Sequence, residues 1–471
     1  MGGGLLQLVA YGAQDAYLSG NPQITFWRGL FKRHTNFAME PFRVNMTGQA
    51  TWGTKHSAIL TRYADLVSSG YIEVQLPGPV DGVALTYSGV GRIGGFNLIK
   101  YVELDIGGQV IDRQYGEFMY LWSTLASPLD ARAKMDVMAS ISLAQNGQCD
   151  DTTGRPFRQN LTYIPLMFFF CRNPGAALPL IALQYHEVKI NILWNDIKLI
   201  YAPTDAQSQP ITYSALSSGP AQANLVLDYI YLDVEERRRM AQESHEYLIE
   251  QTQFNEDNGL TSAQNRVDLT FNHPVKELIW VTQYSWRRDC KIAPPQPQFT
   301  GANPPALGKI SPLTYDALIY DCSLQLNGQD RMQSLPGSYF AVVQPYQHHS
   351  GTTFVDGDDL SSAINGGNRS GTLLDLYTVS NAAGTVSTQA LSQLPPSGGV
   401  YCYSFAIKPE EHQPSGTCNF SRIDTATLVF SVDGKKPISN DDSFNANIRV
   451  YAINYNILRV MSGMGGLAYS N

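Results

Sequence analysis

The chain has 471 residues, of which 43% are hydrophobic, 11% aromatic and only 16% charged. This length predicts more than one domain, and the hydrophobic content is sufficient for real cores. The net charge of −8 at pH 7 argues against a broad nucleic-acid-binding surface. The longest uninterrupted apolar run, Ile164–Cys171, is too short to span a bilayer, and no secretory leader is expected at the start.

The six cysteines contain no C-x-x-C pair. Cys171 and Cys402 lie within apolar strand patterns, so we interpret them as buried free thiols in a reducing compartment. Assembly in the cytoplasm follows as a hypothesis.

The N-terminal residues 1–21 are rich in glycine and almost uncharged. Such a segment has too few core residues to order alone, so it is predicted to be an arm that orders on a neighbour. Residues 24–27, Ile-Thr-Phe-Trp, open a β-prone stretch. The basic group at 28–34 is interpreted as a solvated edge or as salt-bridge partners, with a specific anion site as the less favoured alternative.

Strands are predicted next, followed by a helical region and two long apolar runs. The early strands are placed at 42–48, 57–63 and 70–76. Residues 114–145 are the main helical candidates, with an interruption at Pro128. The runs around 163–170 and 180–194 are nearly continuous in apolar residues, which predicts strands buried on both faces.

Residues 235–250 break the β pattern because they are charged and free of Gly and Pro, which predicts a short bridging helix. The Arg237–Arg239 run is interpreted as a solvated helix face beside acidic neighbours. Strands are predicted again at 266–273 and 276–286. Two long loops, 293–312 and 350–400, interrupt the second half.

One short pattern occurs twice. Residues 101–115 and 321–335 each contain an alternating apolar and polar run that ends at a Gly-Gln pair, Gly108-Gln109 or Gly328-Gln329. Alternation is typical of a half-buried strand, and the Gly-Gly or Asn-Gly at its end supplies the positive φ of a tight hairpin.

Two further pairs follow in the same order along the chain. Residues 164–192 and 403–432 each consist of an apolar run, a turn and a second apolar run, and residues 224–234 have a similar pattern to 447–458. Three matched pairs predict a duplicated all-β domain.

The duplication predicts four parts of the chain. They are an arm over 1–21, a first β domain over 22–234, a helical linker over 235–253 and a second β domain over 254–471.

Three short motifs resemble known cofactor or metal sites, but each lacks a feature that such a site requires. Residues 89–94 match G-x-G-x-x-G, but a strand follows where a dinucleotide site needs a helix. His186 begins a zinc-protease-like motif that has Ile190 in place of the second histidine. His348-His349 is interpreted as a surface pair whose side chains point apart. No catalytic residue, cofactor or metal site is predicted.

Several long blocks of this sequence resemble the major capsid proteins of nucleocytoplasmic large DNA viruses, the group of iridoviruses, phycodnaviruses, mimiviruses and marseilleviruses. The blocks run from residue 19 to the C-terminus: 19–42, 171–190, 271–281, 413–428 and 455–471.

The resemblance implies a double jelly roll, which is two consecutive eight-stranded β-sandwiches with a short linking helix. It also implies homotrimeric capsomers that tile an icosahedral virion shell over an internal membrane. The expected partners are neighbouring capsomers, minor capsid and penton proteins. Three copies of two similar domains make a ring of six units, with obligate contacts of roughly 2,000–5,000 Å².

A carbohydrate-binding or carbohydrate-active β-sandwich is the alternative, because jelly rolls also serve lectins and cupins. A cupin would need clustered His and Glu ligands, and a lectin would need an exposed aromatic platform. In the capsid interpretation, the inserts at 293–312 and 350–400 face outward or sideways. The arm and the basic group at 28–34 face inward, toward membrane or minor capsid proteins.

Overall fold

The structure is a computed structural model of the whole chain, and it is described here for most of its length. The described residues are 2–27, 29, 31–75, 94–139, 161–196, 219–220, 222–260, 262–284, 319–351, 379–380, 386–387, 400–432 and 446–469.

The first half folds into two facing antiparallel sheets. One sheet has the strand order β1-β8-β3-β6 and the other has the order β2-β7-β4-β5. The strands are β1 (Phe37–Asn45), β2 (Lys55–Ile59), β3 (Leu66–Gln75), β4 (Ile99–Ile106), β5 (Gln109–Tyr115), β6 (Leu161–Pro165), β7 (Val188–Trp194) and β8 (Gln222–Leu232). Successive strands cross from one sheet to the other, with β4 and β5 joined as a hairpin within one sheet, so this topology is an eight-stranded jelly roll. We call it the first roll.

The second half repeats this order. Its strands are β9 (His245–Leu260), β10 (Gln264–Asp268), β11 (Pro274–Tyr284), β12 (Ile319–Leu326), β13 (Gln329–Asp330), β14 (Leu335–Pro336), β15 (Val379–Ser380), β16 (Val386–Ser387), β17 (Val400–Ser404), β18 (Cys418–Asn419), β19 (Ala426–Val432), β20 (Ala446–Met461) and β21 (Met464–Leu467). One sheet runs β9-β20-β11-β17, and the other runs β10-β19-β12 with β13 and β14 at its edge. We call this half the second roll.

The repeated hairpins have the backbone conformation that the sequence predicts. Gly107 and Gly108, between β4 and β5, have φ angles of 61° and 88°. Asn327 and Gly328, between β12 and β13, have φ angles of 53° and 76°. Two successive positive φ angles define the tight turn that suits the twist of the flanking strands. The other two matched pairs also occupy equivalent strands, so the duplicated all-β organisation is confirmed.

Few helices accompany the sheets. They are α1 (Gly3–Val9), α2 (Asp15–Ser19), α3 (Gly116–Ala126), α4 (Leu129–Met138), α5 (Phe169–Arg172), α6 (Val234–Gln242) and α7 (Gln344–His348), the last preceded by a π turn over Tyr339–Val343. The predicted helical region is confirmed, and Pro128 separates α3 from α4.

The bridging helix is shorter than the predicted linker of 235–253. Helix α6 ends at Gln242, and Glu243 already has extended backbone. From His245 the chain forms β9, which pairs with β20 along almost its whole length. Long-range strand pairing here overrides the helix-forming composition of the segment.

The two long apolar runs are not continuous strands, so that prediction was wrong. Strand β6 ends at Pro165, and residues 169–172 form the short α5. A 3₁₀ turn occupies Leu180–Ala182 before β7 begins at Val188. Periodicity cannot distinguish a buried strand from a buried turn or helix. The segment covers the outer face of the first sheet, where Ala177 packs with Leu66 and Ile230.

The predicted strand at 24–27 was also wrong. The first strand begins at Phe37, and the described residues before it are all exposed. The loop 293–312 lies outside the described residues, as does most of 350–400.

Two glycines at equivalent positions reveal the repeat in the packing. A Cβ added at Gly116 would lie 2.2 Å from the carbonyl oxygen of Ile99, and one added at Gly337 would lie 2.1 Å from that of Ile319. In both rolls the helix therefore begins against the first residue of the equivalent strand, β4 or β12.

We expect Gly116→Ala and Gly337→Ala each to lower the free energy of unfolding by about 1–3 kcal/mol, because backbone must move to admit the methyl group. Chemical denaturation of the purified protein measures this. Gly4→Ala is the matched control, since nothing lies within 4 Å of its added Cβ. Equal stability of all three variants would contradict the predicted clash.

Candidate functional site

Helix α3 of the first roll packs directly on the second roll. The Glu117 carboxylate accepts two hydrogen bonds from the Arg449 guanidinium, both at 2.7 Å. The Tyr451 hydroxyl donates to the same carboxylate at 2.5 Å, and the rings of Phe118 and Tyr451 lie 5.5 Å apart. Paired Arg–carboxylate hydrogen bonds fix orientation as well as distance. We call this contact between α3 and the β9–β20 face the joint.

Charged side chains are buried beside the joint. Lys276 is fully buried, and its Nζ lies 2.6 Å from Glu250, which also binds Arg172 at 2.8 Å. The Trp122 ring of α3 receives both cations, with Arg172 4.7 Å and Lys276 5.4 Å from its centroid. Burial lowers the pKa of Lys276, and the opposing charge of Glu250 does not fully offset it. Each charge here depends on its partners, because an unpaired buried ion is costly.

A second buried cluster surrounds His349. Its Nε2 lies 2.5 Å from a Glu277 oxygen, and its Nδ1 lies 3.1 Å from Glu410. The ring also packs edge-on against Trp122, at 6.1 Å between centroids. Gly351 then donates from its backbone N–H to the Leu125 carbonyl at 2.7 Å. The cluster therefore extends the joint along α3.

The two carboxylates hold the imidazole in its charged form. Burial acts to lower the pKa of His349, but the charge of Glu277 and hydrogen bonds with Cys402, Glu277 and Glu410 outweigh it and raise the pKa to about 12. Burial acts to raise the pKa of Glu410, yet hydrogen bonds with His349 and Ser350 lower it. An imidazolium between two glutamates is thus the expected state at neutral pH.

Glu277, His349 and Cys402 also carry the donor types that zinc binds, and their ligand atoms lie within 4.8 Å of one another. Two ligands on one tetrahedral zinc ion would be about 3.3 Å apart. The 2.5 Å between Glu277 and His349 is instead a hydrogen-bond distance. Burial raises the pKa of the Cys402 thiol to about 11, which disfavours the thiolate ligand. The geometry favours an imidazolium–carboxylate cluster.

The structure corrects one interpretation of the histidines. His349 is not a surface residue, because its side chain is completely buried. Its neighbour His348 points elsewhere and contacts the Ile407 carbonyl. A signal was present in the sequence: Lys276-Glu277 interrupts the apolar pattern of a central strand, and such charges need buried partners.

The other motifs lie in secondary structure that does not form the sites they resemble. Residues 89–93 lie outside the described range, and a 3₁₀ turn begins at Gly94. Ile190 lies in β7, so the histidine motif is not on a helix. His186 lies beside Gly465 of the second roll, with its Nδ1 3.0 Å from that carbonyl oxygen.

The predicted solvated face of α6 is observed for Arg238 and Arg239, whereas Arg237 pairs with the buried Asp65. Arg238 pairs with Glu235, and Arg239 pairs with Glu243, on exposed side chains. The cysteines within the described ranges, Cys171, Cys322, Cys402 and Cys418, are free thiols.

Among the described residues, exposed apolar side chains lie on the arm and on strand β1. In the arm, large side chains such as Leu8, Tyr17 and Leu18 are at least 79% exposed. On the edge strand β1, Phe37 and Met39 are about half exposed. Contiguous exposed apolar surface usually marks an interaction site.

The sequence matches two family models that together cover most of the chain. Residues 25–233 match a model described as major capsid protein N-terminus. Residues 236–355 and 384–466 match large eukaryotic DNA virus major capsid protein. The major capsid protein of Pyramimonas orientalis virus is 42% identical over 476 residues, covering 100% of both chains. The chain belongs to this family of viral major capsid proteins.

Other major capsid proteins agree with this assignment. That of Paramecium bursaria Chlorella virus 1 is 37% identical over 505 residues, with 100% of each chain covered. The crystal structure of PBCV-1 VP54, fitted into a reconstruction of the virophage Sputnik, matches with a TM-score of 0.68 and 32% identity. That match covers 95% of this chain and 100% of VP54. The Faustovirus major capsid protein, at 11% identity and a TM-score of 0.61 over 96% of this chain and 94% of its own, shares the fold.

These matches confirm the double jelly roll and the role of this chain as a structural capsid protein of a large DNA virus. None of the helices within the described ranges combines the length and apolar character that a membrane span requires.

We expect His349→Gln to lower the free energy of unfolding by about 3–5 kcal/mol near pH 6, because it leaves Glu277 buried without its cation. Denaturant unfolding measures this. His348→Gln is the matched control, since that ring contacts a backbone carbonyl at the surface of the cluster.

The difference should depend on pH in one direction. The folded pKa of His349 lies above its unfolded value of 6.5, so its stabilisation is complete below that value. It is lost as pH rises from there toward the folded pKa. The difference in free energy of unfolding between the wild type and His349→Gln should therefore decrease between about pH 6 and about pH 9. An increase in this difference over the same range would contradict a charged His349 imidazole in the folded protein.

Proposed function

We propose that this major capsid protein assembles into homotrimeric, pseudo-hexagonal capsomers that tile an icosahedral virion shell. The observation that carries the proposal is the joint, which places two similar rolls side by side as one unit. Three such chains around a threefold axis present six similar units, and a six-sided tile fills a flat facet.

The joint supports a rigid tile. One hydrophobic core includes Phe118 and Trp122 of the first roll together with Tyr451 and Ile453 of the second. A shared core resists hinge motion between domains, unlike the small polar contacts that usually link them.

We infer further contacts with neighbouring capsomers, with minor capsid and penton proteins, and with proteins near an internal viral membrane. The exposed arm supports the inner contacts, since an apolar segment of this kind gains stability only by docking. Assembly in the host cytoplasm is supported by the free thiols, which suit a reducing compartment.

The proposed division of the chain has an arm at 1–21, a first domain over 22–234, a helical linker that ends at Gln242 rather than at 253, and a second domain that begins with β9 at His245 rather than at 254. The two family models support it, because one ends at residue 233 and the other begins at 236.

A purely structural role, without catalysis, is supported by the relatives described above, which are named as capsid proteins. The carbohydrate-binding alternative receives no support from them. The acidic and histidine side chains of the His349 cluster are buried and bind each other, which suits stability better than turnover.

The trimer is tested by light scattering after size exclusion. We expect a mass of three times the 52.0 kDa chain, stable on dilution, because obligate capsid contacts are large. A chain that stays monomeric at micromolar concentration would contradict a self-sufficient capsomer.

The arm is tested by deleting residues 2–21. Thermal unfolding should shift by no more than about 2 °C, because neither α1 nor α2 has a buried residue. Particle formation in expressing cells, viewed by electron microscopy, should fail.

A full-length variant with Leu5→Ser and Leu8→Ser keeps the arm but removes apolar contact. Particle formation should fail in this variant as well. Normal particles from both variants would refute a docking role for the arm.

A further inference from the structure

We propose that residues 24–27, which follow the arm, dock into a groove between the two rolls of a neighbouring copy. The groove lies where β5 of the first roll runs beside β9 of the second roll. The inference rests on the proposed assembly of copies into a shell, and it names both the segment that docks and the surface that receives it. We call residues 24–27 the docking segment.

The groove is formed by two sheet edges that do not pair with each other. Among the described strands, β5 pairs only with β4, and β9 pairs only with β20. Side chains join the two edges instead, since the Asp112 carboxylate accepts a hydrogen bond from the Thr252 backbone N–H at 3.0 Å. A groove of about 470 Å³ is left between the rolls, which is within the size range of ligand pockets.

Aromatic and aliphatic side chains line much of this groove. They are Val110, Ile111, Tyr115, Phe254, Leu467 and Tyr469. The rings of Tyr115 and Phe254 lie 4.6 Å apart. Tyr469 is 62% exposed, and its backbone is held in place because its carbonyl oxygen accepts a hydrogen bond from Asn456 Nδ2 at 2.9 Å. Such a surface suits an aromatic side chain, which gains both apolar contact and ring packing.

His273 lines the same groove in a strained backbone conformation. Its φ angle is 66°, which is unfavourable for a residue with a side chain. Its N–H donates to Ser421 Oγ at 2.7 Å, and its carbonyl oxygen accepts from the Phe420 N–H at 3.1 Å. The preceding residue, Asn272, is bound through both backbone groups to the Gln253 carboxamide, at 3.0 and 2.6 Å. Strain that the surroundings hold in place concentrates at functional sites.

The His273 imidazole is available to a ligand. It has no side-chain hydrogen bond or ion pair with another residue in the described part of the chain. Burial lowers its pKa, so the ring is uncharged at neutral pH and packs favourably against another aromatic ring.

The docking segment is the occupant that fits this groove. The sequence predicts a β-prone stretch at these residues, but they form no strand in the single chain. Ile24, Phe26 and Trp27 are instead 90%, 106% and 85% exposed. Large apolar side chains grouped in this way usually mark an interaction site. Tryptophan is also among the residue types most enriched at the energetic centres of interfaces.

The groove opens at the end of the molecule from which the docking segment emerges. Asp65 lies where β1 begins, because its side chain accepts a hydrogen bond from the strand partner of Phe37. The loop 178–187 contacts both Asp65 and Gly107, through backbone hydrogen bonds of 3.0 and 2.9 Å. Gly107 lies in the hairpin that leads directly to the groove residue Gln109. The start of β1 and the groove are therefore at the same end.

The receiving groove belongs to another copy. Residues 27 and 37 are ten positions apart, which allows a reach of up to about 33 Å. Strand β1 lies beside β2, at the edge of the first roll opposite to β5. The docking segment thus leaves on the side away from its own groove. The described residues up to 27 are all exposed in the single chain, so they do not fill that groove.

A labelled peptide of residues 20–31 tests the site directly. It is titrated into the full-length variant Phe26→Ala/Trp27→Ala, in which the chain's own docking segment cannot compete. We expect saturable binding by fluorescence anisotropy. A matched peptide that carries Phe26→Ser and Trp27→Ser should bind at least about 10-fold more weakly, because the aromatic anchors are lost.

Substitutions in the groove locate the binding surface. Added to the Phe26→Ala/Trp27→Ala chain, His273→Gly and Tyr469→Ala should each weaken peptide binding at least about 10-fold. His273→Gly removes the imidazole, yet glycine suits the positive φ angle, so thermal unfolding should show an intact fold. Tyr185→Ala is the matched control, since Tyr185 is 78% exposed outside the groove. A peptide that does not bind, or that binds both groove variants unchanged, would overturn the inference.

Cross-linking identifies the occupant in assembled particles. Trp27→Cys/Tyr469→Cys particles from expressing cells, treated with a short bis-maleimide, should give covalent dimers and larger species on a denaturing gel. Each single variant should give none. A double variant that stays at the mass of one chain, or a cross-link from position 469 to a different protein, would overturn docking of a neighbouring copy.

The outcomes separate this inference from the proposed function. A stable trimer that binds no peptide and whose particles form no cross-link would overturn the inference and leave the capsomer intact. A wild-type chain that stays monomeric but binds the peptide at the groove would overturn the self-sufficient capsomer and support the docking site.

Discussion

The structure depends on the burial of helix α3 between the two rolls. Glu117 fixes its start through Arg449 and Tyr451, and Trp122 fixes its middle between two buried cations. Arg449, Tyr451 and Lys276 lie on β20 and β11 of the second roll, whereas Arg172 lies in α5 of the first roll. The side chains of α3 are therefore buried and paired only when both rolls are present. The double jelly roll therefore behaves as one unit with two similar lobes, which is the property that a flat capsid tile requires.

Buried charge distinguishes this joint from a simple hydrophobic contact. Lys276, Glu277 and His349 are all shielded from solvent, and their ion-pair partners lie with them in the second roll. The pairs Arg449–Glu117 and Arg172–Glu250 cross between the rolls, so a misaligned joint would leave these charges without partners. Hydrophobic packing supplies most of the attraction, since it is not directional. The ion pairs that cross the joint fix the relative orientation of the two rolls.

The repeat has diverged where its surroundings differ. The helix of the first roll is buried within the chain, whereas the equivalent segment of the second roll exposes Val343 and Tyr346. The strand β9 carries Glu250 where β1 carries Phe37. The first difference arises within the chain, because α3 packs on the second roll whereas the segment Tyr339–His348 exposes these side chains in the single chain.

The sequence by itself determined the β class, the duplication, the hairpins at Gly108 and Gly328, and the helix broken at Pro128. Each is a local property, because turn conformation and alternation depend on adjacent residues. The family could also be inferred from long sequence blocks. Only the tertiary structure decided that residues 169–172 form a helix, that His245 begins a strand, and that His349 is buried beside Glu277. Those outcomes depend on pairing and burial between residues far apart in the chain, which no local pattern records.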